Sequence, residues 1–338
     1  MSTRALPDTV EEVRLTAHVA GRLRPEHFET AGVPLRRANA GQVLVRNLLL
    51  RVGAATRTLM AAEQVLPMSP FLPGRPLRGT ALGQVVEAPG TWLRPGDLVR
   101  HDHGWQQYAL LPADSVSRID PDRWPDPAAC LSQGFAGWLA VDRAPVRPGD
   151  TVLVTGAAGG VGTIAGQFAR LRGAGRLIGT TSEPWKADRL RSELGFDAVL
   201  LRGQGPIAEQ LRSAAPDGVD VLVDTVGGEQ LEAALSCARR GARCAVVGAV
   251  GRQAEGATRA PATLDTLALV NRAITVQGLT VSDHRASADR WEAEFSAGLR
   301  EGRLSFPHVR LAGLHEAPGA LLDLLAGRHL GTVLVETG

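Results

Sequence analysis

Thr155-Gly156-Ala157-Ala158-Gly159-Gly160-Val161-Gly162 has the composition of a turn that brings backbone against a phosphate. A dinucleotide pyrophosphate needs close backbone approach and unpaired amide donors at a helix start. Gly159 permits that approach and Gly162 permits a helix to pack tightly on the preceding strand, with Ala158, Gly160 and Val161 completing the cradle. Ala157 stands where a first glycine is common. About 20 residues on, nicotinamide sites often carry an acid that accepts hydrogen bonds from ribose hydroxyls. Here that place holds Thr180-Thr181-Ser182, with Glu183 one step later, Lys186 opening the next helix and Arg202 just past the third apolar run. Hydroxyls at Thr181 and Ser182 together with two cations suit the extra phosphate of NADPH.

The elements that must hold these residues are legible as periodicity. The glycine-rich segment lies between a continuous apolar run, 151–155, and an amphipathic helical pattern, 161–172. Apolar runs at 177–181, 219–224, 243–248 and 274–279 alternate with helical stretches, one of them 186–194. Such alternation implies parallel strand–helix–strand units in a Rossmann-type sheet covered on both faces. Residues 13–19 and 41–47 alternate at period two, and short strands recur at 82–86 and 107–111 between turn signals, so the first third is a mostly antiparallel β unit. A helix is expected over 127–143, a long amphipathic one over 286–302 with Trp291, Phe295 and Leu299 on one face, and a closing strand at 332–335.

Bulk properties narrow the function. A net charge of +2 with interspersed signs attracts neither nucleic acid nor anionic membrane. No run of about 18 apolar residues is available to span a bilayer. The first residues lack the apolar core of a secretory signal, so the expected location is the cytoplasm. Cys130, Cys237 and Cys244 are scattered through apolar segments, which suits buried small hydrophobes rather than a disulfide framework or a four-cysteine zinc site.

The residues from Gly156 to Gly162, Leu194-Gly195-Phe196-Asp197 and Val223-Asp224-Thr225-Val226-Gly227-Gly228 resemble the nucleotide domain of the medium-chain dehydrogenase/reductase superfamily. Gly104-Trp105-Gln106-Gln107-Tyr108-Ala109, Pro76-Leu77-Arg78-Gly79 and Leu330-Gly331-Thr332-Val333 are similar to segments of its zinc-independent prostaglandin and alkenal reductase branch, with quinone reductases as near relatives. The resemblance covers nearly the whole chain. It implies an α/β fold in which a Rossmann-type domain, 125–286, is inserted in a mostly β, GroES-like, partly open barrel formed by 1–124 and 287–338. It also implies a homodimer. Lys186 would hold the adenosine phosphate, with further cofactor contacts at Thr225, Val226, Gly248, Ala249 and His329. Thr225 and His329 each stand where relatives often have asparagine, and Arg202 where they often have tyrosine.

The implied reaction is hydride delivery from NADPH to the carbon–carbon double bond of a small α,β-unsaturated carbonyl compound. Donors at the carbonyl oxygen then carry much of the catalysis. Relatives carry an Asp-Pro-Tyr-x-Arg segment where this chain has Gly53-Ala54-Ala55-Thr56-Arg57, and a tyrosine near the place of Val281-Ser282-Asp283-His284-Arg285. Candidates for donor or proton source are therefore His284, since an imidazole can both give and take a proton, and Ser282. Trp105 is a candidate cleft wall, and His101-Asp102-His103 is expected to line the cleft. No metal is expected, since the first third contains no cysteine and that histidine pair lacks a third ligand. Alternative readings are reduction of a quinone or imine, and a nucleotide-binding sensor or scaffold without redox turnover.

Overall fold

Period-two patterning early in the chain and unbroken apolar runs later produce two kinds of sheet in the computed structural model, which describes residues 6–338. Residues 1–5, part of the stretch read above for a secretory signal, lie outside the described residues. The chain divides into two compact units. Unit 1 takes the described residues through Leu131 with Val309–Ala326 and Val333–Gly338, and unit 2 takes Ser132–His308 and Gly327–Thr332.

Unit 1 is built from β1 (Thr9–Leu15), β2 (Phe28–Pro34), β3 (Gln42–Val52), the short helix α1 (Ala55–Leu59), β4 (Ala81–Glu87), β5 (Leu98–His101), β6 (Tyr108–Pro112) and β7 (Ser117–Arg118). β1 and β2 form an antiparallel pair, while β3 is the spine of a larger open sheet and bonds to β4 and β6. Two register shifts against β4, at Leu44/Val45 and Asn47/Leu49, let β3 serve two cores. Before the second, which adds Leu48 to β3, Val43 and Val45 join a cluster with Val85, Val99 and Leu111. After it the inward parity changes, and Leu50 and Val52 join Leu77, Trp105, Val333 and Val335. A bulge adds one residue to a strand whose side-chain period is two, so it exchanges the faces. No closed barrel forms among the described residues.

Unit 2 begins with helix α2 (Gly134–Arg143) and then alternates: β8 (Thr151–Val154), α3 (Gly162–Leu171), β9 (Arg176–Thr181), α4 (Pro184–Leu194), β10 (Ala198–Leu201), α5 (Ile207–Ala214), β11 (Val219–Asp224), α6 (Gly228–Ser236) and β12 (Ala238–Val246). Short helices α7 (Val250–Ala254) and α8 (Thr266–Asn271) lead to β13 (Thr275–Gly278) and the long helix α9 (Ala288–Arg300). The six strands are parallel in the order β10-β9-β8-β11-β12-β13. The order reverses at β8, and the carboxyl ends of strands at such a reversal open the crevice where ligands bind in doubly wound sheets. After β14 (His308–Leu311) and α10 (Ala317–Leu325) the chain closes with β15 (Thr332–Glu336), which pairs antiparallel with β3.

Three expectations change. The helix expected over 127–143 is a 3-10 turn, Pro127–Leu131, followed by α2. The break falls where the Ser132 hydroxyl accepts from the Gly134 amide at 3.0 Å, a local bond that competes with helix continuation. The strand expected at 243–248 starts earlier and ends at Val246. Finally, α9 packs within unit 2 rather than with the first third, because Trp291 stacks on Phe295 at 4.5 Å and contacts Phe135, Trp138 and Phe168. No helix of the described residues is long and apolar enough to cross a membrane.

Candidate functional site

The glycine-rich turn leaves the carboxyl end of β8 at the sheet's reversal point. Gly156 adopts a positive φ of 58° and its amide donates to Thr180 Oγ1 at 2.9 Å. The Thr180 hydroxyl in turn donates to Gln230 Oε1 at 2.6 Å, and the Ala157 amide bonds the Thr180 carbonyl. A Cβ on Gly162 would lie 2.4 Å from the Gly156 carbonyl oxygen, so glycine is what lets α3 start against the turn. A Cβ on Gly160 would meet Gln133 Oε1 and Thr332 Oγ1 at 2.7 and 2.8 Å. Gly159 differs, because a Cβ there would approach only the Gly156 oxygen, at 3.4 Å, and would otherwise fill open space. That open space, beside the first-turn amides at Val161 and Gly162, is the kind of cradle a pyrophosphate requires.

A buried lock joins this turn to the next strand end. Asp224 closes β11 with no solvent exposure, and its carboxylate accepts from the Thr155 hydroxyl at 2.6 Å and the Gly227 amide at 3.0 Å. Burial pushes that carboxyl's pKa up, while these donors pull it down. Thr225 returns its hydroxyl to the Thr155 carbonyl at 2.9 Å. The Val247 amide bonds the Asp224 carbonyl and the Val250 amide bonds that of Thr225, so Gly248 and Ala249 lie against the Thr225–Val226 turn. Thr155, Thr180 and Asp224 stand in segments quoted from the sequence but were assigned no role there, and Gln230 was not named; all four shape the site. A carboxylate ending an otherwise apolar run was the available signal.

The residues expected to take the adenosine phosphate lie around the end of β9 and the start of α4. Thr181 is buried at the end of β9, and the Arg202 amide bonds its carbonyl at 2.9 Å. Lys186 is buried and its ammonium donates to the Gly327 carbonyl. Burial lowers the Lys186 pKa, Glu183 opposes that, and the neighbouring Arg202 guanidinium adds to it. A buried cation beside a like charge is electrostatically incomplete, and an anion between Lys186 and Arg202 would relieve it. Ser182 adjoins the same place, since a Cβ on Gly327 would lie 3.3 Å from Ser182 Oγ and 3.8 Å from Lys186 Nζ. Half-buried His329 stands two residues before Gly331, whose amide donates to the Ala158 carbonyl at 2.8 Å.

The catalytic candidates have different surroundings. His284 and Ser282 lie on a 3-10 stretch, Val281–Ser287, that follows β13. Arg143 Nη2 donates to His284 Nδ1 at 3.4 Å; since a guanidinium has no acceptor, Nε2 carries the imidazole proton. The Ser282 hydroxyl is exposed and directed to Asp283 Oδ1 at 3.3 Å. Trp105 is not a cleft wall: its indole has no exposure, stacks with Phe28 at 6.1 Å and belongs to the unit 1 core.

His101 is likewise interior at 4% exposure, its Nδ1 accepting from the His103 amide, whereas Asp102 is exposed and accepts from the Thr80 hydroxyl. Burial pushes the His101 pKa down from 6.5 to about 4. Between those values the unfolded chain takes up a proton that the native imidazole refuses. Stability is therefore expected to fall by about 3 kcal/mol as pH drops through that interval. Urea midpoints at pH 4.5 and 7 check this, and His101→Leu should flatten the difference. Among the described residues no group of three or more His, Cys, Asp or Glu is placed to hold a metal ion.

A family model described as the N-terminal domain of oxidoreductase matches residues 11–119, and one described as zinc-binding dehydrogenase matches residues 160–297. The NADP(+)-dependent 2-alkenal reductase of Nicotiana tabacum is 27% identical over 338 residues, covering 96% of each chain. The NADPH-dependent curcumin reductase of Escherichia coli (strain K12) is 28% identical over 322 residues, covering 92% of each. The crystal structure of CurA in complex with NADPH from Vibrio vulnificus shares the fold with a TM-score of 0.89 at 24% identity, covering 97% of this chain and 99% of its own.

Proposed function

This chain belongs to the medium-chain dehydrogenase/reductase superfamily, and on that premise we propose that it is an NADPH-dependent reductase of the carbon–carbon double bond in small α,β-unsaturated carbonyl compounds. The observation that carries the cofactor is the open side of Gly159 in the glycine turn, with buried Lys186 in the first turn of α4 and the Arg202 amide bonded to the Thr181 carbonyl at the end of β9. Support for the substrate class comes from the alkenal and curcumin reductases among its relatives.

The turn at Ala158–Gly162 would hold the pyrophosphate, Thr181, Ser182, Lys186 and Arg202 the phosphorylated ribose, and Thr225, Val226, Gly248, Ala249 and His329 the nicotinamide half. When bound, NADPH supplies the hydride that the electrophilic β-carbon accepts. The His284 Nε2 proton is the chain's candidate donor to the oxygen where charge develops, with Arg143 fixing the tautomer. His284→Phe is expected to lower turnover about 100-fold or more with little change in NADPH affinity. Unchanged turnover removes it from the mechanism. The absence of cysteine from the first third supports a metal-independent reaction, in which chelator leaves activity intact.

A homodimer is the proposed assembly. All four residues of edge strand β13 are exposed, and α8 beside it in sequence exposes Leu267 at 70% and Val270 at 77%. Light scattering that finds only monomer contradicts it. The function itself is tested with purified protein and NADPH or NADH against enones, enals, quinones and cyclic imines. The expected result is NADPH oxidation with enones or enals and a saturated product. Oxidation only with a quinone or imine would replace the substrate class.

A further inference from the structure

Between β9 and α4 the chain passes through Glu183, extended at φ −121° and ψ 134°, and Pro184, which takes the first position of the helix. A residue before proline is held extended, and proline's own φ already suits a helix, so the direction in which α4 leaves the sheet is fixed locally. Successive residues on a helix point about 100° apart. Lys186 therefore goes inward, at 2% exposure, while its neighbour Trp185 stays on the flank at 44% exposure. The Lys186 ammonium lies over the Trp185 ring, 5.6 Å from its centroid. Other indoles of unit 2 are spent on packing: Trp138 and Trp291 are buried and lie against Phe135 and each other. Trp185 instead presents ring surface to solvent beside the residues expected to take the adenosine phosphate.

Resting on the cofactor reading above, we propose that Trp185 is the platform on which the adenine ring of the cofactor stacks. In the phosphorylated nucleotide the 2′-phosphate and the base hang from adjacent ribose carbons. A phosphate held at the Lys186 ammonium thus brings the base to the ring that lies beside the same ammonium. An indole offers a wide π-face with few torsions to fix, and stacking on a base requires no particular hydrogen-bond pattern. Lys186 and Trp185 then have separate roles: the ammonium reads the phosphate, and the ring holds the base whether or not the phosphate is present. Trp185 raises affinity for both nicotinamide cofactors and leaves the choice between them to the cations.

The test is calorimetry on the full chain with adenosine 2′,5′-bisphosphate and with 5′-ADP, neither of which carries nicotinamide. Trp185→Ala is expected to weaken both nucleotides by the same factor, about tenfold, and Trp185→Phe, which keeps a ring, by less than about threefold. Lys186→Ala should weaken the bisphosphate alone. Tryptophan emission gives a second reading: the quenching that either nucleotide causes in the parent should be largely lost in Trp185→Phe. A loss confined to the bisphosphate in Trp185→Ala would make the ring a support for Lys186, and unchanged affinity for both would make it bare surface. Either result overturns the platform and leaves the cofactor reading standing. Failure of the parent chain to bind the bisphosphate overturns the cofactor reading and the platform with it.

Discussion

Replacing Lys186 and Arg202 together by alanine is expected to raise the dissociation constant for NADPH about 100-fold while changing that for NADH less than about threefold. A charge-assisted hydrogen bond contributes about 1.5–3 kcal/mol, and two at the lower figure give that loss. Lys186 should account for the greater part, because it is buried whereas Arg202 is exposed to water. Burial also lowers the Lys186 pKa, so the preference for NADPH should fade with rising pH sooner than the ordinary lysine value of 10.5 would allow. Fluorescence titration of both cofactors between pH 7 and 10 reads both effects. Equal losses for the two cofactors would remove these residues from the phosphate.

The second large effect is expected at the glycine turn, where two neighbouring substitutions should behave differently. In Gly162→Ala the new Cβ falls 2.4 Å from the Gly156 oxygen and 2.7 Å from the Ala157 Cα, both backbone atoms. Those atoms are tied to Thr180 through the Gly156 and Ala157 amides, so the turn must distort. A destabilisation of about 1–3 kcal/mol and loss of most cofactor affinity should follow together. In Gly159→Ala the Cβ enters open space, with only the Gly156 oxygen near, at 3.4 Å. That variant should melt close to the parent yet bind NADPH at least about tenfold more weakly, a loss of about 1.4 kcal/mol. Thermal unfolding and titration of the pair check the contrast. A Gly159→Ala variant that binds as the parent does would show that the pyrophosphate lies elsewhere.

The parallel sheet and the place of the turn were legible because strands buried on both faces read as continuous apolar runs, and each was followed by a helical pattern. Lys186 and Arg202 were legible as charges just past strand ends, and the Arg202 amide bonds the carbonyl of Thr181, five residues before Lys186. What local pattern could not carry was the destination of side chains whose partners are distant in sequence. Trp105 lies in a loop-like stretch, yet its cavity is made by β1, β3 and β15, so it is core. Helix α9 reads as an amphipathic helix in either unit, and only the aromatic faces of α2 and α3 decide between them. The lock of Asp224 on Thr155 spans 69 residues, and the tie from Lys186 to Gly327 spans 141. No window of sequence contains either pair.

Hydride delivery from NADPH to the β-carbon of an enone is read by label transfer. The protein is incubated with an enone accepted in the oxidation assay and with NADPH deuterated at the nicotinamide C4, each face in turn. A saturated ketone one mass unit heavier is expected from one of the two labelled cofactors, with deuterium at the β-carbon by NMR. Deuterium at the carbonyl carbon of an allylic alcohol, or unlabelled product from both cofactors, would contradict it.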